Sequence, residues 1–233
     1  ERVLVDRGCH RSVYHAMALL DLRPVYLPRP WLAEAGVTGA IPPEDVDTIL
    51  TTCADIKTVC ITSPTYYGIL SDIPALTETV RRHGGTLVVD GAHGAHLPFL
   101  GMDHLSRADL AVVSAHKTLP ALGQTALLLA GERYTHEDLR RAGSIYGTSS
   151  PSYVLMASLD LCRGWMEGQG AADYRRTAGA AARLRAHLPA LTEALGPLDP
   201  TRLVVAAPDG FAAQQTLEGH GIFIEMADRG HLV

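Results

Sequence analysis

Two apolar stretches end in groups able to do covalent and proton chemistry. Thr86-Leu87-Val88-Val89-Asp90-Gly91-Ala92-His93 runs from an apolar segment into a carboxylate, and Asp109-Leu110-Ala111-Val112-Val113-Ser114-Ala115-His116-Lys117 runs from another into Ser-x-His-Lys. In an open parallel sheet, ligands bind beyond the carboxyl ends of the strands, so both motifs predict side chains projecting into one crevice. Asp90 and Lys117 lie about one strand-to-strand crossover apart, which lets neighbouring strands deliver them together. A lysine amine that forms and exchanges an imine, beside an acid that keeps a pyridine nitrogen protonated, is the pairing that pyridoxal 5'-phosphate (PLP) chemistry needs. Blander readings exist for each alone: Asp90 as a helix N-cap, Lys117 as a solvated loop lysine.

Other residues carry competing readings. His10, His93, His96 and His116 with Asp90 have the donor types of a zinc or iron site, although His96 reads equally as packed or solvated. Tyr66 and Tyr67 read as core aromatics or as cofactor contacts. Glu225 and Asp228 read as surface charge or as partners for a basic substrate tail. The arginines Arg140, Arg141, Arg175, Arg176, Arg183 and Arg185 read as solvated helix faces.

Groups of this kind need a rigid frame, and the pattern around them predicts one. Short apolar runs alternate with helical stretches, as in βαβ units. Strands are expected at Val3–Asp6, Pro24–Leu27, Thr58–Thr62, Thr86–Asp90, Leu110–Ser114 and Thr125–Leu129. A helix should open at Pro42-Pro43-Glu44-Asp45, where proline and acid suit the first turn, and another should run from Pro74 to about His83, stopped by Gly84-Gly85. From Ala171 to Leu195 the composition is helical, with a break or kink at Pro189. A strand at Arg202–Ala206, a helix near Phe211–Leu217 and a strand at Ile222–Glu225 should follow. The expected fold is α/β: a mainly parallel sheet with helices on both faces in a large domain over residues 1–165, plus part of a small α/β C-terminal domain over residues 166–233. Strand-like segments sit close to both termini, as expected of a piece of a longer chain.

Composition bounds the function class. The 233 residues are 47% hydrophobic, and 20 basic against 25 acidic residues leave a formal net charge of -5. That offers no basic field for a nucleic acid or an anionic membrane, so a small-molecule substrate is expected. Cys9, Cys53, Cys60 and Cys162 form no C-x-x-C pair, and neither a membrane span nor a signal-peptide layout appears, which predicts a cytoplasmic protein.

Several motifs together resemble one family, the Orn/Lys/Arg decarboxylases, PLP enzymes with the aspartate-aminotransferase fold. They are Asp6-Arg7-Gly8-Cys9-His10-Arg11-Ser12, Thr62-Ser63-Pro64-Thr65-Tyr66-Tyr67-Gly68, Asp90-Gly91-Ala92-His93-Gly94-Ala95-His96, Ser114-Ala115-His116-Lys117-Thr118-Leu119-Pro120 and Thr148-Ser149-Ser150-Pro151-Ser152-Tyr153. The resemblance implies Lys117 as the Schiff-base lysine, Asp90 as partner of the pyridinium nitrogen, His10 stacked on the ring and His93 beside it near the phenolic oxygen. It implies Ser114 and His116 close to the phosphate, and Ser149 and Ser150 acting on the neighbouring subunit's phosphate, hence a homodimer or higher homo-oligomer with shared active sites. The activity implied is decarboxylation of ornithine, lysine or arginine, a lyase reaction of amino-acid metabolism and polyamine biosynthesis. Another PLP reaction on this scaffold (an aminotransferase or a different lyase) and an inactive assembly or regulatory relative stay open.

Overall fold

The computed structural model describes residues 1–233. Along the chain, β1 (Arg2–Asp6), α1 (Arg11–Leu19) and β2 (Arg23–Leu27) lead to a small antiparallel pair, β3 (Trp31–Leu32) and β4 (Val37–Thr38). Then come α2 (Pro43–Thr52), β5 (Thr58–Thr62), α3 (Ile73–Arg82), β6 (Thr86–Asp90), β7 (Leu110–Val113), α4 (Ala115–Thr118) and β8 (Leu127–Ala130). The rest comprises α5 (His136–Tyr146), α6 (Tyr153–Trp165), a π-helical turn at Met166–Gly170 that runs into α7 (Ala171–Arg185), β9 (Val205–Ala206), α8 (Gly210–Gly219) and β10 (His231–Leu232).

One six-stranded sheet has the order β2-β1-β5-β6-β7-β8. Its first five strands are parallel, and β8 joins antiparallel to β7. Successive strand side chains point to opposite faces, and the apolar residues divide accordingly. Leu4, Val59, Ile61, Leu87, Val89, Ala111 and Val113 meet Val46 and Leu50 of α2 and Ile73, Leu76 and Val80 of α3 in the main core. Val3 and Val5 turn the other way, onto Cys9, Val13 and Met17 of α1. Helices therefore cover both faces, and each fully buried aliphatic side chain contributes about 1.5–3 kcal/mol relative to exposure.

The crossover helices form for local reasons. In α3 the Asp72 carboxylate accepts from the Ala75 amide at 3.0 Å, Pro74 lies in the first turn, and Ile73, Leu76, Thr77 and Val80 share one buried face. Gly84, at φ 68°, takes the left-handed turn that ends it. α2 starts on Pro43 with Glu44 and Asp45 in its first turn, where the orphan amides and the helix dipole favour them.

Three expectations are corrected. The helical stretch over Ala171–Leu195 ends at Arg185, because Pro189 lacks a donor amide and disfavours helix in the residue before it. The strand expected at Arg202–Ala206 contracts to β9. No strand forms at Ile222–Glu225: Ile222 and Phe223 are exposed, and the antiparallel partner of β9 is β10. An apolar run makes a strand only where a partner edge receives it, and β10 takes that edge.

A smaller core of Val37, Ile69, Leu191, Leu198 and Val204 ties the segment after α7 to β4 and to the loop after β5. This packing carries residues 198–204 to the carboxyl-terminal side of the sheet.

Candidate active site

The strand register that builds the core also builds a cavity. With Val59, Ile61, Leu87, Val89, Ala111 and Val113 directed to α2 and α3, period-two alternation turns Cys60, Thr62, Val88, Asp90, Val112 and Ser114 to the opposite face. These six floor a cavity of about 570 Å³, walled by Gly8, His10, Ser12 and Val13 at the start of α1, by Ala92 and His93 after β6, and by Tyr66 and Lys117. It lies at the carboxyl ends of the strands.

The structure brings five of the eight motif residues into this cavity: His10, Asp90, His93, Ser114 and Lys117. Asp90 closes β6, beside Thr62 of β5 and Val112 of β7, and its Oδ1 accepts from the Ala92 amide at 3.1 Å. Ser114 precedes the single turn α4, and Lys117 follows three residues later on the same side of that turn. His10 caps α1, where its Nδ1 accepts from the Ser12 amide. His116 points elsewhere: its Nδ1–H donates to the Thr125 carbonyl at 2.9 Å. Ser149 and Ser150 are exposed in the connection between α5 and α6 and line no part of the cavity; the side chain that caps α6 is Ser152. The histidines do not assemble as metal ligands either, since His96 and His116 are bound elsewhere.

Several residues outside the expected site set support it. Buried Asp6 pairs with buried Arg29 at 2.6 Å and accepts from the amides of Gly8 and Thr62, fixing the ends of β1 and β5 under the cavity. Buried His96 bonds through Nε2 with Asp199 and with the Thr201 hydroxyl, and Tyr174 of α7 packs on its ring while donating its hydroxyl to the Thr118 carbonyl at the end of α4. Arg202 donates to Nδ1 of His93 at 3.3 Å, and its guanidinium carbon lies 5.7 Å from the Tyr66 ring centroid. For His96 the cue was its place in the Asp90–His96 motif; nothing local marks Arg202.

The cavity's electrostatics follow from these neighbours. Burial, then the charges of Lys117 and Arg202, push His93 down to about 4, so its ring is neutral near pH 7. Burial pushes the Cys60 thiol of the cavity floor up to about 12 and raises Cys9, packed behind α1, as well, making both thiols inert. Tyr66 is raised by burial and by Glu225, whose Oε1 accepts its hydroxyl at 3.2 Å. Burial opposes ionisation of Asp199, but His96 and Thr201 outweigh it and hold the carboxyl below its ordinary value.

Residues 1–228 match the family described as Orn/Lys/Arg decarboxylase, major domain. The chain belongs to the Orn/Lys/Arg decarboxylase family. It is 32% identical over 254 residues to the Bacillus subtilis protein YaaO, described as uncharacterized, covering 100% of this chain and 52% of that one. It is 27% identical over 250 residues to a Bacillus cereus arginine decarboxylase, covering 98% of this chain and 54% of that enzyme. The fold matches the constitutive lysine decarboxylase of E. coli with a TM-score of 0.82 at 20% identity, over 100% of this chain and 42% of that one. The chain thus spans about half the length of the two curated Bacillus relatives. The groups lining the cavity fit PLP: a carboxylate able to accept from a protonated ring nitrogen, an amine and two imidazoles.

Proposed function

We propose that the chain is the cofactor-binding core of a PLP-dependent decarboxylase of a basic amino acid, with Lys117 as the residue that holds PLP. The observation that carries this is the convergence of Lys117 and Asp90, from adjacent strand ends, in a cavity flanked by His10 and His93. PLP bound there would supply an electron sink for the pair left on the α-carbon when the carboxylate departs as CO2. Asp90 would hold the pyridine nitrogen protonated, His10 would cover one ring face, and Ser114 would serve the phosphate end. His93, neutral, would donate or accept beside the ring without adding charge. Lys117 would return a proton to the α-carbon. The names of the relatives support a basic substrate, arginine or lysine among them.

In this reading the active unit is at least a homodimer, in which Ser149 and Ser150 act on the neighbouring subunit's phosphate. Their exposure, and that of Ile145, Tyr146 and Tyr153 around them, supports it.

Adding PLP to the purified protein should produce a visible absorption band, and borohydride should fix the cofactor to the peptide containing Lys117. Carbon dioxide release should then be assayed with arginine, lysine and ornithine. Lys117→Ala should abolish both band and turnover; a band that survives removal of excess PLP in that variant would refute the Lys117 assignment.

A further inference from the structure

Arg202 reaches the cavity wall from a distant part of the chain, and its position is built rather than incidental. Its backbone amide donates to the Asp199 carbonyl at 3.2 Å and its own carbonyl accepts from Arg185 of α7 at 2.8 Å. Asp199 is itself held by buried His96. The aliphatic stem lies against Gly68, where an added Cβ would come within 2.9 Å of Arg202 Cβ and Cγ, and Gly68 has φ 83°. The guanidinium then spans the Tyr66 ring and Nδ1 of His93.

A guanidinium has donors and no acceptor, and it stays protonated in proteins. The ring nitrogen it meets must therefore carry a lone pair. We propose that Arg202 is a positioning residue that confines His93 to one neutral tautomer, with Nδ1 as acceptor and the single proton on Nε2. The ring could otherwise present either nitrogen, since in a neutral imidazole the partner of one nitrogen decides the state of the other. Tyr66, 5.1 Å from the imidazole between ring centroids and nearly perpendicular to it, sets its tilt. The charged and titratable groups around His93 come from four elements: Lys117 of α4, His10 before α1, and Asp199 and Arg202 before β9, with Tyr66 after β5. Lys117, Arg202 and His10 disfavour a proton on His93, and Asp199 favours one. The consequence for the site is directional: a fixed Nε2–H donor on a ring that is neutral near pH 7. The tautomer assignment stands without the cofactor; its role in turnover rests on the PLP reading above.

The test is nitrogen NMR of the full chain labelled with 15N-histidine, without PLP, with the His93 signal assigned by its loss in His93→Gln. In the unsubstituted protein His93 should show an unprotonated Nδ1 and a protonated Nε2, and should remain neutral at pH 5. Arg202→Met removes the donor and the charge but keeps the stem; the ring should then populate both tautomers and its titration midpoint should rise by about one unit or more. Arg202→Lys, which restores a cationic donor, should return the midpoint toward that of the parent. A proton on Nδ1 in the unsubstituted protein overturns the proposal even if no variant folds, as does an Arg202→Met spectrum with tautomer and midpoint unchanged. Adding PLP afterwards separates the two readings: loss of PLP binding with the tautomer result intact refutes the cofactor assignment alone.

Discussion

Asp90 and His93 sit three residues apart on one turn, yet the cavity gives them opposite tasks. Asp90 is half-buried at a strand end and accepts from an amide, whereas burial and the charges of Lys117 and Arg202 keep His93 neutral near pH 7. Asp90→Asn should leave PLP able to bind and reduce turnover roughly a hundredfold or more, the size of effect expected when a group that controls a proton is lost. A visible spectrum with and without substrate, read beside CO2 release, checks it; near-normal turnover would reject the role. His93 makes a separate statement about stability. Its folded value of about 4 lies below the ordinary 6.5, so between those values the unfolded chain binds the extra proton and stability falls as pH falls. The contribution is complete above pH 6.5 and fades toward pH 4. Urea midpoints of the parent and of His93→Gln, compared at pH 7 and pH 5, should show the parent losing more; equal losses would contradict the assignment.

At the scale of elements, α2 and α3 hold the sheet in the twist that aligns its strand ends. Leu76, fully buried in α3 against β5 and β6, should cost about 2–5 kcal/mol when truncated to alanine. Removing the α3 cap with Asp72→Ala should cost about 0.5–2 kcal/mol. Phe223→Ala, at an exposed position outside any element, should stay within about 0.5 kcal/mol. Chemical denaturation of the three variants orders them, and a Phe223→Ala loss as large as that of Leu76→Ala would mean that the exposed segment is covered in solution. α4 shows how short an element can be and still decide a site. Neighbours on a helix point about 100° apart while residues three apart share a side, so Lys117 and Ser114 face the cavity and His116 turns to Thr125.

For the whole molecule, the open question is whether one chain makes one site. The α5–α6 connection carries Ser149 and Ser150 into solvent, with Ile145 and Tyr146 each 70% exposed and Tyr153 83% exposed beside them. Apolar groups clustered on a surface mark contact regions. Mixing Lys117→Ala with the double variant Ser149→Ala/Ser150→Ala should partly restore activity, because a mixed dimer pairs an intact Lys117 with intact serines from the other chain. No complementation, in mixtures shown by mass to contain heterodimers, would put the serines outside the shared site.

Much of this protein was determined along the chain. β5 and β6 have the bounds their apolar runs predict, α3 has Pro74 in its first turn and stops at its glycines, Asp90 ends β6, and Lys117 follows just past β7. Those features depend on periodicity, capping and turn chemistry within a few residues. What tertiary structure decided is the company these residues keep. Arg202 lies 109 positions from His93, and Asp199 lies 103 from His96, so no local pattern pairs them. They meet because Leu191, Leu198 and Val204 pack on Val37 and Ile69. The same dependence removed the strand expected at Ile222–Glu225, since pairing needs a free edge and β10 occupies the edge of β9. Local signals decide where strands end; only burial of distant apolar residues decides which side chains face each other across the cavity.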